Sequence, residues 1–216
     1  MFTGLIEEIG RVARVMRSGG GLDLTIEATR VLEGTRTGDS ICINGACQTV
    51  TALDARSFTV FASSVTAEAT TLGEFAPGRR VNLERAMTPS SRFGGHFVQG
   101  HVDGRGAIGS VDRDARGMRV AVAVGPELRR YIVEKGSVAV DGVSLTVVSL
   151  APEGFVLYII PETIGNTTAS AWKAGDRVNI ETDILARYVE RMLRPPEGTG
   201  GGDGGLMRKL AEGGFV

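Results

Sequence analysis

Short segments in which apolar and polar residues alternate recur along the first half of the chain, and turn-forming residues separate them. Alternation with a period of two is typical of strands that bury one face. The dipeptide Asn44-Gly45 stands between two of these segments and favours a tight hairpin, because both turn positions need a positive φ. The pattern predicts strands at residues 22–26, 40–43, 47–50, 57–61 and 80–83.

The same pattern occurs twice. Residues 37–84 align without gaps with residues 134–181 at a constant offset of 97, and residues 4–7 align with 100–103 at an offset of 96. Identical pairs include Ser40/Ser137, Gly45/Gly142, Thr49/Thr146, Val50/Val147, Asn82/Asn179 and Glu84/Glu181. This period is much longer than the roughly 20–45 residues of solenoid repeats. We therefore predict two homologous domains, at residues 1–96 and 97–184.

Many short strands at regular spacing favour closed antiparallel barrels, which leave no free strand edge. The expected fold class is all-β, with two tandem homologous barrels and a C-terminal α-helix. A short helix at 127–132, with a counterpart at 28–33, is a further expectation. After Asp183, apolar residues fall on one helical face until Pro195-Pro196, so this helix either lies on its own barrel or pairs with copies of itself. Residues 185–216 are expected to form this helix and a flexible Gly-rich tail.

Composition excludes several classes of function. The 216 residues carry a net charge of −1, so the basic excess that nucleic-acid binding usually needs is missing. The N-terminus lacks the basic region of a signal peptide, and no apolar run approaches the roughly 18 residues of a membrane span. Cys42 and Cys47 are too few for a disulfide framework or a zinc site. We expect a soluble cytoplasmic protein with no metal, no membrane partner and no nucleic-acid partner.

Several long motifs, in the same order along the chain, resemble the riboflavin synthase family. They lie at residues 1–8, 44–50, 94–104, 135–137, 141–147, 161–163 and 178–183. The resemblance extends from Met1 to about Leu193. It implies that each half is a six-stranded Greek-key barrel that binds one lumazine. It also implies a homotrimer, held together by the C-terminal helices, in which the first barrel of one subunit meets the second barrel of a neighbour.

Enzymes of this family convert two molecules of 6,7-dimethyl-8-ribityllumazine into riboflavin and 5-amino-6-(D-ribitylamino)uracil by transfer of a four-carbon unit, without a cofactor or metal. A duplicated binding module suits such a reaction, because it holds two like molecules and the rate gains from their orientation. The alternative is a non-catalytic lumazine- or flavin-binding protein of the same fold.

One lumazine must donate the four-carbon unit and the other must accept it, so the informative positions are those where the halves differ. Most of the additional ionisable groups fall in the second half. The differing pairs are Leu5/His101, Gly38/Lys135, Asn44/Asp141, Cys47/Ser144, Val65/Glu162 and Ala86/Asp183.

The resemblance implies six catalytic candidates, some from these pairs and some close to them in sequence: His101, Ser144, Thr146, Ser40, Cys47 and Asp183. A histidine at residue 101 can take up a proton near neutral pH. Cys47 either adds to the ring as a thiolate or packs beneath it. Asp183 either contacts the ligand or caps the following helix. His96, at the junction of the halves, is interpreted as structural.

Substrate contacts implied by the resemblance come from both halves. In the first half they are Phe2, Gly4, Leu5, Ile6, Cys47, Gln48, Thr49, Phe61, Ala62, Ser63, Ser64, Val65 and Thr66. In the second half they are Gly100, His101, Val102, Lys135, Ser144, Leu145, Thr146, Tyr158, Ile159, Ile160, Pro161, Glu162 and Thr163. Val65 departs from the family pattern, which often has a glutamate before the threonine, so Ser63, Ser64 or backbone groups must replace that carboxylate.

Overall fold

Two closed six-stranded antiparallel β-barrels make up most of the computed structural model, which describes residues 1–193 and 211. In the first barrel the strands adjoin in the circular order β1-β2-β5-β4-β3-β6, which is a Greek-key arrangement. Its strands are β1 (Glu8–Ser18), β2 (Gly21–Glu27), β3 (Ser40–Ile43), β4 (Ala46–Leu53), β5 (Ser57–Ser63) and β6 (Arg80–Arg85). All five strands predicted in this half are confirmed.

The second barrel repeats the first strand for strand, which confirms the predicted fold class. Its strands are β7 (Gly104–Asp114), β8 (Gly117–Ala123), β9 (Ser137–Val140), β10 (Val143–Ala151), β11 (Gly154–Ile159) and β12 (Arg177–Thr182). The turn residues Asn44 and Asp141 both adopt positive φ, at 45° and 46°, as the hairpin dipeptides predict.

Short helices join the strands. They are α1 (Ser64–Ala69), α2 (Pro126–Arg129) and α3 (Pro161–Asn166), and a further helix, α4 (Ile184–Leu193), follows the last strand. The helix expected at 127–132 is shorter than predicted, and its counterpart at 28–33 is a 3-10 turn at Arg30–Leu32. Each short helix buries one apolar side chain, Val31 or Leu128, and Ala28 and Ile132 are buried just outside the two helices, so the chain buries all four without a longer helix. The predicted helix stop at Pro195 and the expected flexible tail lie outside the described residues.

Each barrel encloses its own hydrophobic core. The first is built around residues such as Leu24, Phe58 and Leu83, and the second around Val120, Phe155 and Ile180. These side chains come from the inward positions of each strand, so the alternation along the sequence becomes the inside and outside of the barrel. Both barrels belong to one compact unit, Met1–Ala186, and the part of α4 from Arg187 to Leu193 is outside this unit.

A pair of buried asparagines joins the two barrels about an approximate two-fold axis. Asn82 Nδ2 donates to the backbone oxygen of Asp141 at 2.9 Å, and its Oδ1 accepts from the backbone nitrogen of Thr168 at 2.7 Å. Asn179 makes the equivalent pair of bonds in the opposite direction, to Asn44 O at 2.7 Å and from Thr71 N at 2.7 Å. The repeated asparagine therefore satisfies buried backbone groups of the other repeat.

Candidate functional site

Two short segments cross between the barrels. We call residues 2–6 the first crossing segment and residues 98–102 the second crossing segment. They pair with each other through Phe2 N to Val98 O at 2.7 Å and Val98 N to Phe2 O at 3.2 Å. Beyond this bridge the segments diverge, and each one reaches the barrel of the other repeat.

The crossing brings residues of one repeat onto the outer face of the other. Gly4 O accepts a hydrogen bond from Ser144 N at 2.8 Å, and Gly100 O accepts one from Cys47 N at 2.8 Å. Ile6 packs against the core of the second barrel. The first crossing segment therefore completes the second barrel's face.

Val102 likewise packs against the core of the first barrel, so the second crossing segment completes the first barrel's face. His101 is exposed and lies between Gly100 and Val102. The repeat assigns His101 to the second half of the sequence, whereas its two neighbours contact the first barrel. Because this histidine lies at the first face, the two faces of the folded chain differ less in their number of ionisable groups than the two halves of the sequence do.

Glycine is required where each segment crosses. Gly4 and Gly100 have φ angles of 75° and 79°, in the left-handed region that favours glycine. A Cβ atom at Gly4 would lie 2.6 Å from Ser144 Cβ, and one at Gly100 would lie 2.6 Å from Cys47 Cβ. The close approach of backbone to strand therefore depends on the missing side chain.

Two buried glutamates anchor the crossing segments. Glu84 accepts hydrogen bonds from Thr3 N at 2.7 Å and Gly4 N at 3.0 Å. Glu181 does the same for the backbone nitrogens of Gln99 and Gly100. Burial raises the pKa of both carboxyls, to about 7 for Glu181, although these hydrogen bonds oppose the shift.

The sequence interpretation did not include this pair among the site residues. The sequence nevertheless indicated this pair, because the last strand of each barrel has an identical glutamate at the equivalent position.

The first face presents a row of outward polar side chains. Ser40 pairs with Thr49 across β3 and β4, so both residues point to the same side as Cys47, which is half-buried. Ser63 caps α1: its Oγ accepts from Thr66 N at 3.2 Å and lies 3.1 Å from Thr66 Oγ1. Val65, which aligns with Glu162 of the second repeat, is exposed in α1 between these capping residues.

The second face repeats this arrangement with different chemistry. Ser144 and Thr146 point outward from β10. The exposed Tyr158 donates its hydroxyl to Asp114 at 2.9 Å, and Glu162 accepts from Asn166 Nδ2 at 2.7 Å. Of the remaining predicted contacts here, Ile160, Pro161, Glu162, Thr163 and Lys135 are exposed or partly exposed.

Some predicted contact residues point into the barrels. The side chains of Gln48, Ala62, Leu145 and Ile159 are buried. Phe2 is also fully buried, in a small cluster between the barrels with Cys42, Val98 and Ala139. Only the backbone of these residues is available to a ligand lying on the faces.

A cleft of about 810 Å³ lies on the first barrel beside the first crossing segment. Leu5 and Ser40 are among the predicted site residues that line it, together with Glu84 and Arg85. This size is in the range of small-molecule sites.

Asp183 follows the last strand of the second barrel. Its Oδ1 accepts a hydrogen bond from Leu185 N at 3.0 Å. This contact is the one expected of a helix cap, so one carboxylate oxygen serves the start of α4.

His96 is the residue that sequence reasoning set aside. It is buried, and its Nδ1 lies 2.7 Å from Ser144 Oγ. Burial lowers the pKa of His96, and the nearby carboxylate of Asp183 partly opposes the shift. No pattern in the repeat signalled this contact, because His96 lies in the connection between the aligned regions.

Over residues 1–193 and 211, no cluster of three or more His, Cys, Asp or Glu side chains is arranged to hold a metal ion. Both cysteines are free. The described helices are all too short or too polar to span a bilayer.

Comparison with known proteins gives consistent results. The profile of the lumazine binding domain matches this chain twice, over residues 3–86 and 99–183. The riboflavin synthase of Actinobacillus pleuropneumoniae is 45% identical over 193 residues, which cover 89% of this chain and 90% of that protein. That of Bacillus amyloliquefaciens is 42% identical over 199 residues, 92% of this chain and 93% of that protein.

Among solved structures, LumP complexed with 6,7-dimethyl-8-(1'-D-ribityl) lumazine has a TM-score of 0.77 to this chain. The match covers 84% of this chain and 99% of LumP at 19% identity, which supports the fold alone. With the duplicated domain, the crossed faces and relatives similar over nine-tenths of the length, the chain belongs to the riboflavin synthase family.

Proposed function

We propose that this chain catalyses the dismutation of two molecules of 6,7-dimethyl-8-ribityllumazine into riboflavin and 5-amino-6-(D-ribitylamino)uracil. The observation that carries this proposal is the presence of two equivalent outer faces, each completed by a crossing segment from the other repeat. The kinship with riboflavin synthases supports the reaction type. Two like faces can bind two like substrates, and the orientation of the bound substrates accounts for a large part of the rate enhancement.

Each face takes one lumazine in this proposal. Cys47, Thr49 and Ser40 contact the ring on the first face, with His101 above them as the group that accepts a proton. Ser144 and Thr146 contact the ring on the second face, where Leu5 and Ile6 of the first crossing segment border it. The thiol at one position and the hydroxyl at its equivalent make the two faces unequal, as a donor and an acceptor require.

A homotrimer is the assembly that we propose, acting in the cytoplasm. In this assembly the first face of one chain meets the second face of a neighbour, as the resemblance to the riboflavin synthase family implies. In α4, the apolar side chains of Tyr188, Val189 and Met192 are more than half exposed in the single chain, which suits a role in association. Sedimentation equilibrium is expected to give three chain masses, and a fully active monomer would contradict the assembly.

The direct test is incubation of purified protein with the lumazine alone. We expect one riboflavin to form for every two lumazines consumed, as measured by absorbance and chromatography. A protein that shifts the ligand's fluorescence but releases no riboflavin would instead be a binding protein.

His101→Ala is expected to lower kcat by about 10²–10⁴-fold while it changes lumazine affinity much less, which is the pattern of a group that acts in the transition state. Ser110→Ala, at an exposed position on β7, serves as the control and is expected to retain activity. Equal losses of kcat and affinity in His101→Ala would make His101 a binding residue only.

A further inference from the structure

The contact between His96 and Ser144 distinguishes the second face from the first. The imidazole is 7% exposed, and its Nδ1 lies 2.7 Å from Ser144 Oγ. The backbone holds both partners in place, because Ser144 N donates to Gly4 O and His96 N donates to Thr3 O. The imidazole and the hydroxyl are therefore set by two neighbouring residues of one crossing segment.

The other ring nitrogen of His96 is buried and has no hydrogen-bond partner among the described residues. A buried ring nitrogen without a hydrogen-bond partner costs free energy, so its presence in the fold calls for an explanation. Removal from water favours the neutral ring, so Nδ1 can accept the Ser144 proton while Nε2 carries the ring hydrogen. Asp183 is the charged group that acts on this ring, and it favours the protonated form.

The equivalent position on the first barrel has no such partner. Cys47 occupies the place of Ser144, and its backbone nitrogen bonds to Gly100 O in the same way. Within residues 1–193, no imidazole is hydrogen-bonded to the Cys47 thiol. The contact is therefore specific to one face, as expected of a group that serves only one of two different substrate roles.

We propose that His96 is a positioning residue for Ser144. In this arrangement the Ser144 hydroxyl donates its hydrogen to His96 Nδ1 and directs an oxygen lone pair toward the lumazine on the second face. This proposal rests on the function proposed above. When Ser144 Oγ takes a proton from that ligand, its own proton moves to Nδ1. The imidazolium so formed is balanced by the Asp183 carboxylate, and the proton returns by the reverse path.

Four variants test the proposal: His96→Ala, His96→Asn, Ser144→Ala and the double variant His96→Ala/Ser144→Ala. Asparagine can keep a hydrogen bond to Ser144 but cannot accept the proton. We expect His96→Ala and His96→Asn both to lower kcat by about 10²-fold, with a change of less than about threefold in KM. The double variant is expected to lose no more than the stronger single variant, because the two residues act as a unit.

A spectroscopic measurement tests the same pair without turnover. The ¹⁵N chemical shifts of the His96 ring are expected to show a neutral ring with its hydrogen on Nε2, and the Nδ1 shift is expected to change in Ser144→Ala. Ser110→Ala is the matched serine control and should change neither kcat nor these shifts.

Three outcomes would overturn the inference: full kcat in His96→Asn, additive losses in the double variant, or a ring hydrogen on Nδ1 in the wild-type protein. His96→Asn also separates chemistry from folding, because a merely structural hydrogen bond would survive in it. Wild-type protein that forms no riboflavin would overturn the proposed function itself, whereas riboflavin formation at the wild-type rate by His96→Asn would overturn only this role.

Discussion

The two barrels share one backbone plan but satisfy its buried polar groups with different side chains. At the hairpin between the third and fourth strands of each barrel, Asn44 Oδ1 accepts from Asn82 N at 2.7 Å, and Asp141 Oδ1 accepts from Asn179 N at 2.8 Å. The aspartate has a further acceptor oxygen, and the indole of Trp172 acts on this carboxylate to lower its pKa, against the larger effect of burial. Where the second repeat has a tryptophan, the first has Phe75, which has no side-chain N–H donor.

This difference teaches that the repeats changed in matched pairs. An extra acceptor appears in the second barrel together with an extra donor, so the barrel keeps its packing and gains an ionisable group. The faces differ in the same manner, because the Ser144 hydroxyl has the His96 imidazole as a partner, whereas no imidazole among the described residues is hydrogen-bonded to the Cys47 thiol. The asparagine pair that joins the barrels, Asn82 and Asn179, is the same in both repeats.

The largest effect on stability is expected from removing the asparagine side chains that the two repeats share at the interface between the barrels. Asn82→Ala and Asn179→Ala would each leave one backbone N–H and one backbone C=O buried without partners. We expect each variant to lose about 2–6 kcal/mol of the free energy of unfolding, measured by urea denaturation, because each unsatisfied group costs about 1–3 kcal/mol.

The exposed Asn166→Ala is the matched asparagine control for these two variants and is expected to change the free energy of unfolding much less. If only one of the two buried variants lost free energy of unfolding, the two asparagines would contribute unequally to stability despite their equivalent hydrogen bonds.

An intermediate effect is expected from making the second half like the first. Burial raises the pKa of Asp141 to about 7, so the folded state binds a proton more tightly than the unfolded state. Its contribution to stability therefore falls as the pH rises from about 4 to 7. In the double variant Asp141→Asn/Trp172→Phe, this contribution to the pH dependence of the free energy of unfolding disappears. The contributions of Glu84 and Glu181 remain in the wild-type protein and in the variant.

Between pH 5 and pH 8 the wild-type protein is expected to lose roughly 2–3 kcal/mol more free energy of unfolding than this double variant. Urea denaturation at both pH values measures the difference. An equal pH dependence in the two proteins would mean that Asp141 is ionised in the folded state at low pH.

The smallest effect is expected from disturbing one face at a time. Gly4→Ala pushes a Cβ against Ser144 on the second face, and Gly100→Ala pushes one against Cys47 on the first. We expect each variant to weaken lumazine binding about tenfold, or 1.4 kcal/mol, at one of the two sites while the other site is unchanged. Isothermal titration of each variant resolves the two sites.

Gly175→Ala controls for backbone strain alone, because that residue has a φ of 90° and no atom lies within 4 Å of an added Cβ. The control is expected to bind two ligands per chain with wild-type affinity. Loss of both sites in either crossing variant would indicate that the faces are coupled and not separate.

The sequence predicted most of the barrels because their cores follow simple alternation. The strands β2 to β6 and the Asn44 and Asp141 turns were recognisable from local pattern and repeat. The strand β1 was not predicted, because a bulge between Val12 and Arg14 breaks the alternation and its outer half is mostly exposed. Its repeat β7 has a bulge at the equivalent place and was missed for the same reason.

The sequence predicted which residue types occur in the candidate site, but it did not predict which of these residues lie together on one face. Ser144 and Thr146 could be placed on one strand face from spacing alone, and the structure confirms that they share the outward side of β10. That His101 lies at the first barrel could not be read in the same way. The partners of the crossing segments are far away in sequence, as in the contacts of Gly4 with Ser144 and of Gly100 with Cys47, and no local periodicity encodes them.

The sequence by itself determined that the chain holds two copies of one barrel with unequal polar residues, because strand alternation and a gapless repeat are local properties of the chain. Only the tertiary structure decided which residues share a face. Glycine at residues 4 and 100 and the buried carboxylates of Glu84 and Glu181 direct each crossing segment onto the other barrel. This exchange places His101 beside one repeat and joins His96 to Ser144, since close packing and hydrogen bonding act between residues that are distant in sequence.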